Sequence, residues 1–175
     1  MERVYFTQVN TELGQIFAAS SDIGLCRIGL PGEDLQKHIT WLSEHFDHVE
    51  ENFERNESVV NQLIDYAQGK LRVFDAVFHL IGTPFQKKVW SVLADVPYGE
   101  VCSYKDLAIK AQSPKGFRAV GMANNRNPIP IIMPCHRVIG HNGDLIGYGG
   151  GLDMKKRLLE LEGRIVYKGK VVTEK

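Results

Sequence analysis

Three cysteines in 175 residues, none of them in a Cys-x-x-Cys pair, leave little material for covalent or metal cross-linking. An odd count with scattered spacing excludes a disulfide framework and a cysteine-based zinc knuckle. Free thiols fit a reducing compartment, and each cysteine is expected by default to be a small buried hydrophobe. Long apolar runs are missing too: no stretch approaches the roughly 20 residues of a membrane helix. Met1-Glu2-Arg3-Val4 carries neither a signal peptide nor a transit sequence, so a cytoplasmic location is expected.

Net charge is also absent, with 21 basic and 21 acidic side chains. The balance conceals an asymmetry. Residues 1–81 hold 6 Lys+Arg against 13 Asp+Glu, a net of −7, whereas residues 82–175 hold 15 against 8, a net of +7. Either the halves attract each other, or the second half meets a polyanion.

In the first half, Val4-Tyr5-Phe6, Gln15-Ile16-Phe17-Ala18 and Leu25-Cys26-Arg27-Ile28 are separated by turn residues and read as a strand meander. Leu35, Ile39, Leu42 and Phe46 recur at helical spacing, as do Val60, Leu63, Ile64 and Ala67, with Gly69 placed as a stop. Phe74 to Leu80 reads as a further extended segment. His38, His45 and His48 could ligate a metal, but solvated helix-face histidines are the expected reading.

A boundary falls at Gly82. Thr83, Pro84 and Gln86 form a capping box ahead of a helix to about Leu93, which Val96-Pro97-Tyr98-Gly99 ends. Ser103 opens a second helix over Tyr104 to Ala111, with Asp106 in its first turn, and Ser113-Pro114 opens a third from about Lys115 to Asn125. Three short helices with tight turns suggest a helix-turn-helix. The third is rich in small residues, Gly116, Ala119, Gly121 and Ala123. These serve either close helix packing or approach to a nucleic-acid groove, with Arg118 as an inserted cation.

Chemistry concentrates after Asn127-Pro128-Ile129-Pro130, in Pro134-Cys135-His136-Arg137. The prolines rule out a helix between them. A cysteine beside a histidine is a candidate activated thiol. In extended chain the two side chains point to opposite faces, so contact needs a turn or, the favoured reading, a bridging water. A base needs an orienting group, and Glu162 is the candidate, at the end of a helix over Met154–Glu162 that Asp153 caps and Gly163 stops. Between them, Gly140 to Gly151 holds six glycines in twelve residues, a loop that moves or approaches a ligand by its backbone. Tyr148 is its lone aromatic, suited to covering a flat ring.

Pro134-Cys135-His136-Arg137-Val138, with Arg118-Ala119-Val120-Gly121 and Asn127-Pro128 at this spacing, closely resembles the O6-alkylguanine-DNA alkyltransferases. Thr83-Pro84-Phe85-Gln86, Tyr98-Gly99-Glu100-Val101, Ser103-Tyr104 and Gly147-Tyr148 through Glu162-Gly163 fit as well. The similarity is dense over residues 82–163, and extends over the first half only in length and element order.

The resemblance implies an α/β ribonuclease-H-like domain over residues 1–81 and a mostly α, winged-helix (helix-turn-helix) domain over residues 82–175. It implies a protein that binds double-stranded DNA carrying alkylated guanine through the minor groove and flips the damaged nucleotide out, since a stacked base is inaccessible to a side chain. Cys135 would accept the alkyl group, His136 would act as the water-mediated base, and Glu162 would orient it. Asn127 would brace the turn, and Tyr104 would assist extrusion and donate a proton toward guanine N3. Arg118 would fill the vacated stack, with Ser103, Tyr104, Ala119, Gly121 and Asn125 also against DNA. Tyr148, Gly149, Met133, Pro130, Val138 and Lys155 would wall the base pocket.

A thioether product has no carbonyl for water to attack, so each molecule would act once. No cofactor and no metal are expected, although some relatives hold zinc in the first domain, because Cys26 has no second cysteine nearby. A monomer is expected, with clustering along DNA left open. Phe117 departs from the family, which usually has small residues before the arginine, and Gly149 stands where serine or alanine is common. The rival readings are a cysteine hydrolase, a damage-binding protein without chemistry, and a transcription regulator.

Overall fold

In the computed structural model, which describes residues 1–172, the chain separates into two compact units, Met1–Ile81 and Gly82–Lys175. Both strands and helices are present, a mixed α/β fold.

The first unit is built on a four-stranded sheet. Strands β1 (Arg3–Thr11) and β2 (Gly14–Ser21) form an antiparallel hairpin running from Val4 opposite Ser21 to Thr11 opposite Gly14. Strand β3 (Leu25–Gly29) continues the meander, and β4 (His48–Glu51) adds to the other edge parallel to β1, giving the order β3-β2-β1-β4. The sequence pattern misses β4 because its four residues, His-Val-Glu-Glu, lack an apolar alternation. Helix α1 (Leu35–His45) is capped by Asp34 and α2 (Glu57–Ala67) ends before Gly69, whose φ of +72° is the left-handed turn that glycine permits.

Three expectations for this unit need correction. Leu35 is exposed, and the buried positions of α1 are His38 and Leu42. His38 is therefore not a solvated helix-face histidine: its ring is fully buried and stacks on Phe17 at 4.9 Å between centroids. Phe74 to Leu80 forms no strand and contributes one isolated bridge, Phe78 to Leu25.

The second unit begins as the capping box predicts. Thr83 accepts from the Gln86 amide at 3.2 Å, the Gln86 side chain accepts from the Thr83 amide at 2.9 Å, and Pro84 opens α3 (Pro84–Ala94). Ser103 and Asp106 repeat the device for α4 (Tyr104–Lys110), directly after the two-residue strand β5 (Cys102–Ser103). The third helix, α5 (Phe117–Asn125), starts later than expected, at the uncapped Gly116, while Ser113 and Pro114 lie in the turn before it. Trp90 of α3 is fully buried and donates from Nε1 to the Ala123 carbonyl of α5 at 2.7 Å, tying the two helices together.

Val89, Leu93, Leu107, Ala108, Val120 and Ala123 form the core of this unit. Cys135 and Val138 belong to the same cluster, so the helices that build the core also build the floor beneath the cysteine. Strand β6 (Val138–Ile139) pairs parallel with β5. Helix α6 (Leu152–Leu161) follows the glycine-rich loop, with Gly151 rather than Asp153 at its N-cap; Asp153 lies in the first turn. A terminal hairpin, β7 (Ile165–Tyr167) with β8 (Lys170–Val172), was not expected, since each strand is only three residues long.

Leu107 has no exposed surface at the centre of the cluster that holds Cys135. Leu107→Ala is expected to cost about 2–5 kcal/mol through lost burial and a residual cavity, whereas Thr83→Ala should cost about 1 kcal/mol through the lost cap. Urea denaturation of both variants checks the ranking.

Candidate active site

The chain turns sharply before the cysteine. Ile131 holds φ at +72°, a left-handed conformation that a β-branched side chain adopts only under constraint, at a cost of about 1–3 kcal/mol. Asn127 supplies the constraint from both sides of the turn. Its Nδ2 donates to the Met133 carbonyl at 2.7 Å, and its Oδ1 accepts from the Ile129 amide at 3.0 Å. Pro134 then leads into a single 3-10 turn over Cys135–Arg137. This corrects the extended chain assumed at Cys135 and His136: the two residues sit on a tight turn rather than on opposite faces of a strand.

All three residues of that turn are buried. His136 has no exposed surface, and its Nε2 lies 2.7 Å from Glu162 Oε1. An ionised carboxylate can only accept, so this nitrogen carries the proton and Nδ1 is left with its lone pair. Nδ1 is buried and has no hydrogen-bond partner among the described residues. Burial is the main influence on the ring and holds its pKa below the usual histidine value, although the Glu162 hydrogen bond pulls the other way. The imidazole is neutral at rest.

Glu162 is the C-cap residue of α6, where the helix dipole disfavours a carboxylate. It is also 5% exposed, so burial adds a second penalty to its charge. What offsets both penalties is Arg137, a residue to which sequence reasoning gave no role. Its Nε donates to Glu162 Oε2 at 2.9 Å and its Nη2 to Oε1 at 2.8 Å, a two-pronged pairing on a planar carboxylate. Arg137 Nη1 donates to the Val96 carbonyl at 2.6 Å, and the guanidinium lies 5.8 Å from the centroid of the Tyr98 ring. Burial alone would raise the Glu162 pKa, but the hydrogen bonds and charges of His136 and Arg137 outweigh it and bring it to about 2. A buried glutamate needs a cation, and an arginine adjacent to the candidate base was the available signal.

Burial pushes the Cys135 thiol up to about 11, against the opposing pull of the Asn127 side chain and the Lys155 charge. The sulfur is therefore a protonated thiol at rest, not a standing thiolate. Cys26 and Cys102 are raised as well, to about 12 and about 11, again through burial. The Cys26 thiol donates to the Ala19 carbonyl in the first unit.

Around Cys135 the structure gathers Tyr104, Tyr148 and Cys102 as half-buried neighbours of its cluster. Tyr104 donates from its hydroxyl to the Ile146 carbonyl at 3.0 Å, with the Gly147 carbonyl at 3.3 Å. Tyr148 has a buried hydroxyl with no hydrogen-bond partner among the described residues. Lys155, fully buried, reaches from α6 to the Val138, Ile146 and Gly147 carbonyls at 2.5, 2.9 and 3.3 Å. Its ammonium thus holds the glycine-rich loop to β6, and burial draws its pKa down to about 8.

Pro130, Met133 and Val138 are buried beside the turn, while Gly149 lies in the loop. Arg118, Ala119 and Asn125 are exposed on α5 and Ser103 caps α4. A side chain begun at Gly121 would come within 3.9 Å of the Tyr104 ring. Among the described residues, no three His, Cys, Asp or Glu side chains are grouped to hold a metal ion, and no helix is long and apolar enough to cross a membrane.

Residues 84–164, the part of the chain that holds this arrangement, match the family model described as 6-O-methylguanine DNA methyltransferase, DNA binding domain. A methylated-DNA–protein-cysteine methyltransferase of Methanosarcina mazei is 54% identical over 165 residues, covering 91% of this chain and 97% of the relative. The constitutive methylated-DNA–protein-cysteine methyltransferase of Bacillus subtilis is 41% identical over 172 residues, covering 95% and 99%. Among solved structures, Mycobacterium tuberculosis OGT in complex with DNA superposes with a TM-score of 0.79 at 37% identity, covering 90% of this chain and 92% of that one. Relatives matched over nearly their whole length at such identity leave one assignment: this chain belongs to the methylated-DNA–protein-cysteine methyltransferase family.

Proposed function

We propose that the protein repairs DNA by moving a methyl or larger alkyl group from O6 of guanine, and in some lesions O4 of thymine, to the sulfur of Cys135, once per molecule. The observation that carries this reading is the state of His136: one ring nitrogen fixed by a clamped, ionised Glu162 at 2.7 Å, the other buried and, among the described residues, unpartnered, on the turn that holds Cys135.

That arrangement makes a thiolate on demand. His136 Nδ1 takes the Cys135 proton through a bridging water as the alkyl carbon arrives, and Glu162 stabilises the resulting imidazolium. The sulfur attacks the alkyl carbon, the carbon–O6 bond breaks, and its electron pair passes to the guanine. Tyr104 is proposed to donate its phenolic proton toward N3 of that leaving base, exchanging its hydrogen bond to the loop for the duration. The thioether product is inert to water, and no group in the site provides a route back to the thiol. A protonated resting thiol also protects a single-use sulfur from other electrophiles.

DNA is proposed to bind through the minor groove to the second unit as a winged-helix-like module, with the first as a ribonuclease-H-like domain of structural role. The family match over residues 84–164, the DNA complex of the Mycobacterium tuberculosis relative and the +7 charge of residues 82–175 support this. In that pose Arg118 fills the stack that the damaged base leaves, and Ser103, Ala119, Gly121 and Asn125 lie against the duplex. Tyr148 and the Gly149 amide, with Pro130, Met133 and Val138 behind them, wall the base pocket. Lys155 keeps the loop in place over it. Asn127 preserves the strained turn that presents the sulfur.

Incubation with duplex containing O6-methylguanine is expected to add one methyl to the peptide that holds Cys135, by intact and peptide mass, and none to Cys135→Ala. Repeated turnover, or normal duplex binding with no adduct, would reject the proposal. Glu162→Gln is expected to slow single-turnover transfer by about 10²–10⁴-fold, the range for a misdirected general base.

The same network sets the acid limit of stability. Glu162 titrates near 2 in the folded protein against 4.5 ordinarily, so its contribution is complete above about pH 4.5 and lost as the pH falls toward 2. His136 is also depressed, so below its ordinary 6.5 the unfolded chain binds a proton that the folded one resists, and stability falls there as well. Urea midpoints are expected to be flat from this network above about pH 6.5 and to decline below it. Glu162→Gln should remove the portion of the decline below about pH 4.5.

A further inference from the structure

Helix α5 carries two large apolar side chains that its packing does not use. Phe117 is 45% exposed and Met122 55% exposed; the helix buries Val120, Ala123 and Asn124, on the side opposite Met122 and Arg118. Scattered exposed hydrophobics need no explanation, but these two are placed on either side of Arg118. Phe117 immediately precedes it at the first helical position, and Met122 follows one turn later.

At about 100° per residue, Arg118, Met122 and Asn125 fall within an arc of about 60°, forming one outward stripe. Phe117 lies one turn before Gly121, on the flank where Gly121 approaches the Tyr104 ring. The far end of the stripe is just as close to the site. A side chain begun at Gly147, in the loop that Lys155 holds, would meet Asn125 Nδ2 at 3.4 Å and Tyr104 Oη at 3.3 Å. The two apolar groups therefore flank the cation, Met122 on its stripe and Phe117 about 100° round the helix, beyond Gly121, which approaches the Tyr104 ring that packs against the Cys135 cluster.

We propose that Phe117 and Met122 are DNA-contacting residues that form, with Arg118, a three-part wedge against the duplex; this rests on the proposed repair function. The occupant is duplex DNA, because the helix lies within the residues matched as a DNA binding domain and in the half of the chain with net charge +7. Phenylalanine and methionine cannot pair with phosphate. Their partners are sugar faces and the edges of base steps, where apolar side chains in the minor groove unstack and kink the helix. Ala119 and Gly121 let the α5 backbone come close, and the two larger side chains then reach past it into the steps beside the one Arg118 enters. Part of the work of extruding the base falls on these contacts, so a large residue at position 117 is compatible with groove binding.

The experiment compares wild type with Phe117→Ala, Met122→Ala, the double variant, Phe117→Leu and Arg118→Ala. Single-turnover transfer is measured from an O6-methylguanine duplex and from the free O6-methylguanine base, and affinity for undamaged duplex is followed against salt. The ratio of duplex rate to free-base rate is expected to fall about tenfold in the double variant, with most of it retained in Phe117→Leu. The salt slope should stay at its wild-type value in the double variant and drop by about one in Arg118→Ala, since apolar contacts release no counterions. A wild-type rate ratio in the double variant would overturn the inference. So would a salt slope that drops as in Arg118→Ala, or a changed oligomeric state with an unchanged duplex rate, which would identify a surface for self-association instead. Wild-type protein that forms no adduct with either substrate would overturn the repair reading itself, and this inference with it.

Discussion

A carboxylate without water, at the unfavourable end of a helix, is the constraint around which the second unit is arranged. Arg137 pairs with both oxygens of Glu162 and His136 donates to one of them, which together keep it ionised there. Removing a charge partner from such a group leaves a buried ion uncompensated, a penalty of several kcal/mol, which is why the three residues act as one structural element. The arginine also reaches the Val96 carbonyl at the end of α3. The chain after the first helix of the unit, the reactive turn and the C-terminus of α6 are thereby held at one point.

The consequence for chemistry is a division between readiness and reactivity. His136 is held neutral and oriented, whereas Cys135 is raised to about 11 and stays protonated. A cysteine protease-like site would lower its thiol with a nearby imidazolium. Here the burial that raises the thiol also excludes water from the sulfur. The strain at Ile131 and its restraint by Asn127 have the same effect at the level of the backbone, giving a turn that presents the sulfur in one geometry.

Much of this was legible in the chain. The capping box at Thr83, the helix start at Ser103, the stop at Gly69 and the division near Gly82 follow from local hydrogen-bonding and backbone preferences, which act within four residues of sequence. Elements that depend on distant partners were not legible. Strand β4 has no pattern of its own and exists because β1 offers an edge, and β7 and β8 are three residues each. His38 appears polar in sequence, but it is drawn into the core by Phe17, against which it stacks.

By itself, the sequence determined which side chains are candidates for the proposed chemistry: a cysteine, a histidine next to it and a glutamate at the end of a later helix, in an order specific to one family. Only the tertiary structure decided how they are used. It converted the expected extended dipeptide into a 3-10 turn, brought Arg137 onto Glu162, and committed Lys155 to loop carbonyls. The physical reason is that local propensity is encoded in neighbours, whereas burial and charge pairing are properties of groups far apart in the chain. Glu162 and His136 are 26 residues apart, and neither has its hydrogen-bond partner or its shifted pKa until the fold brings them together.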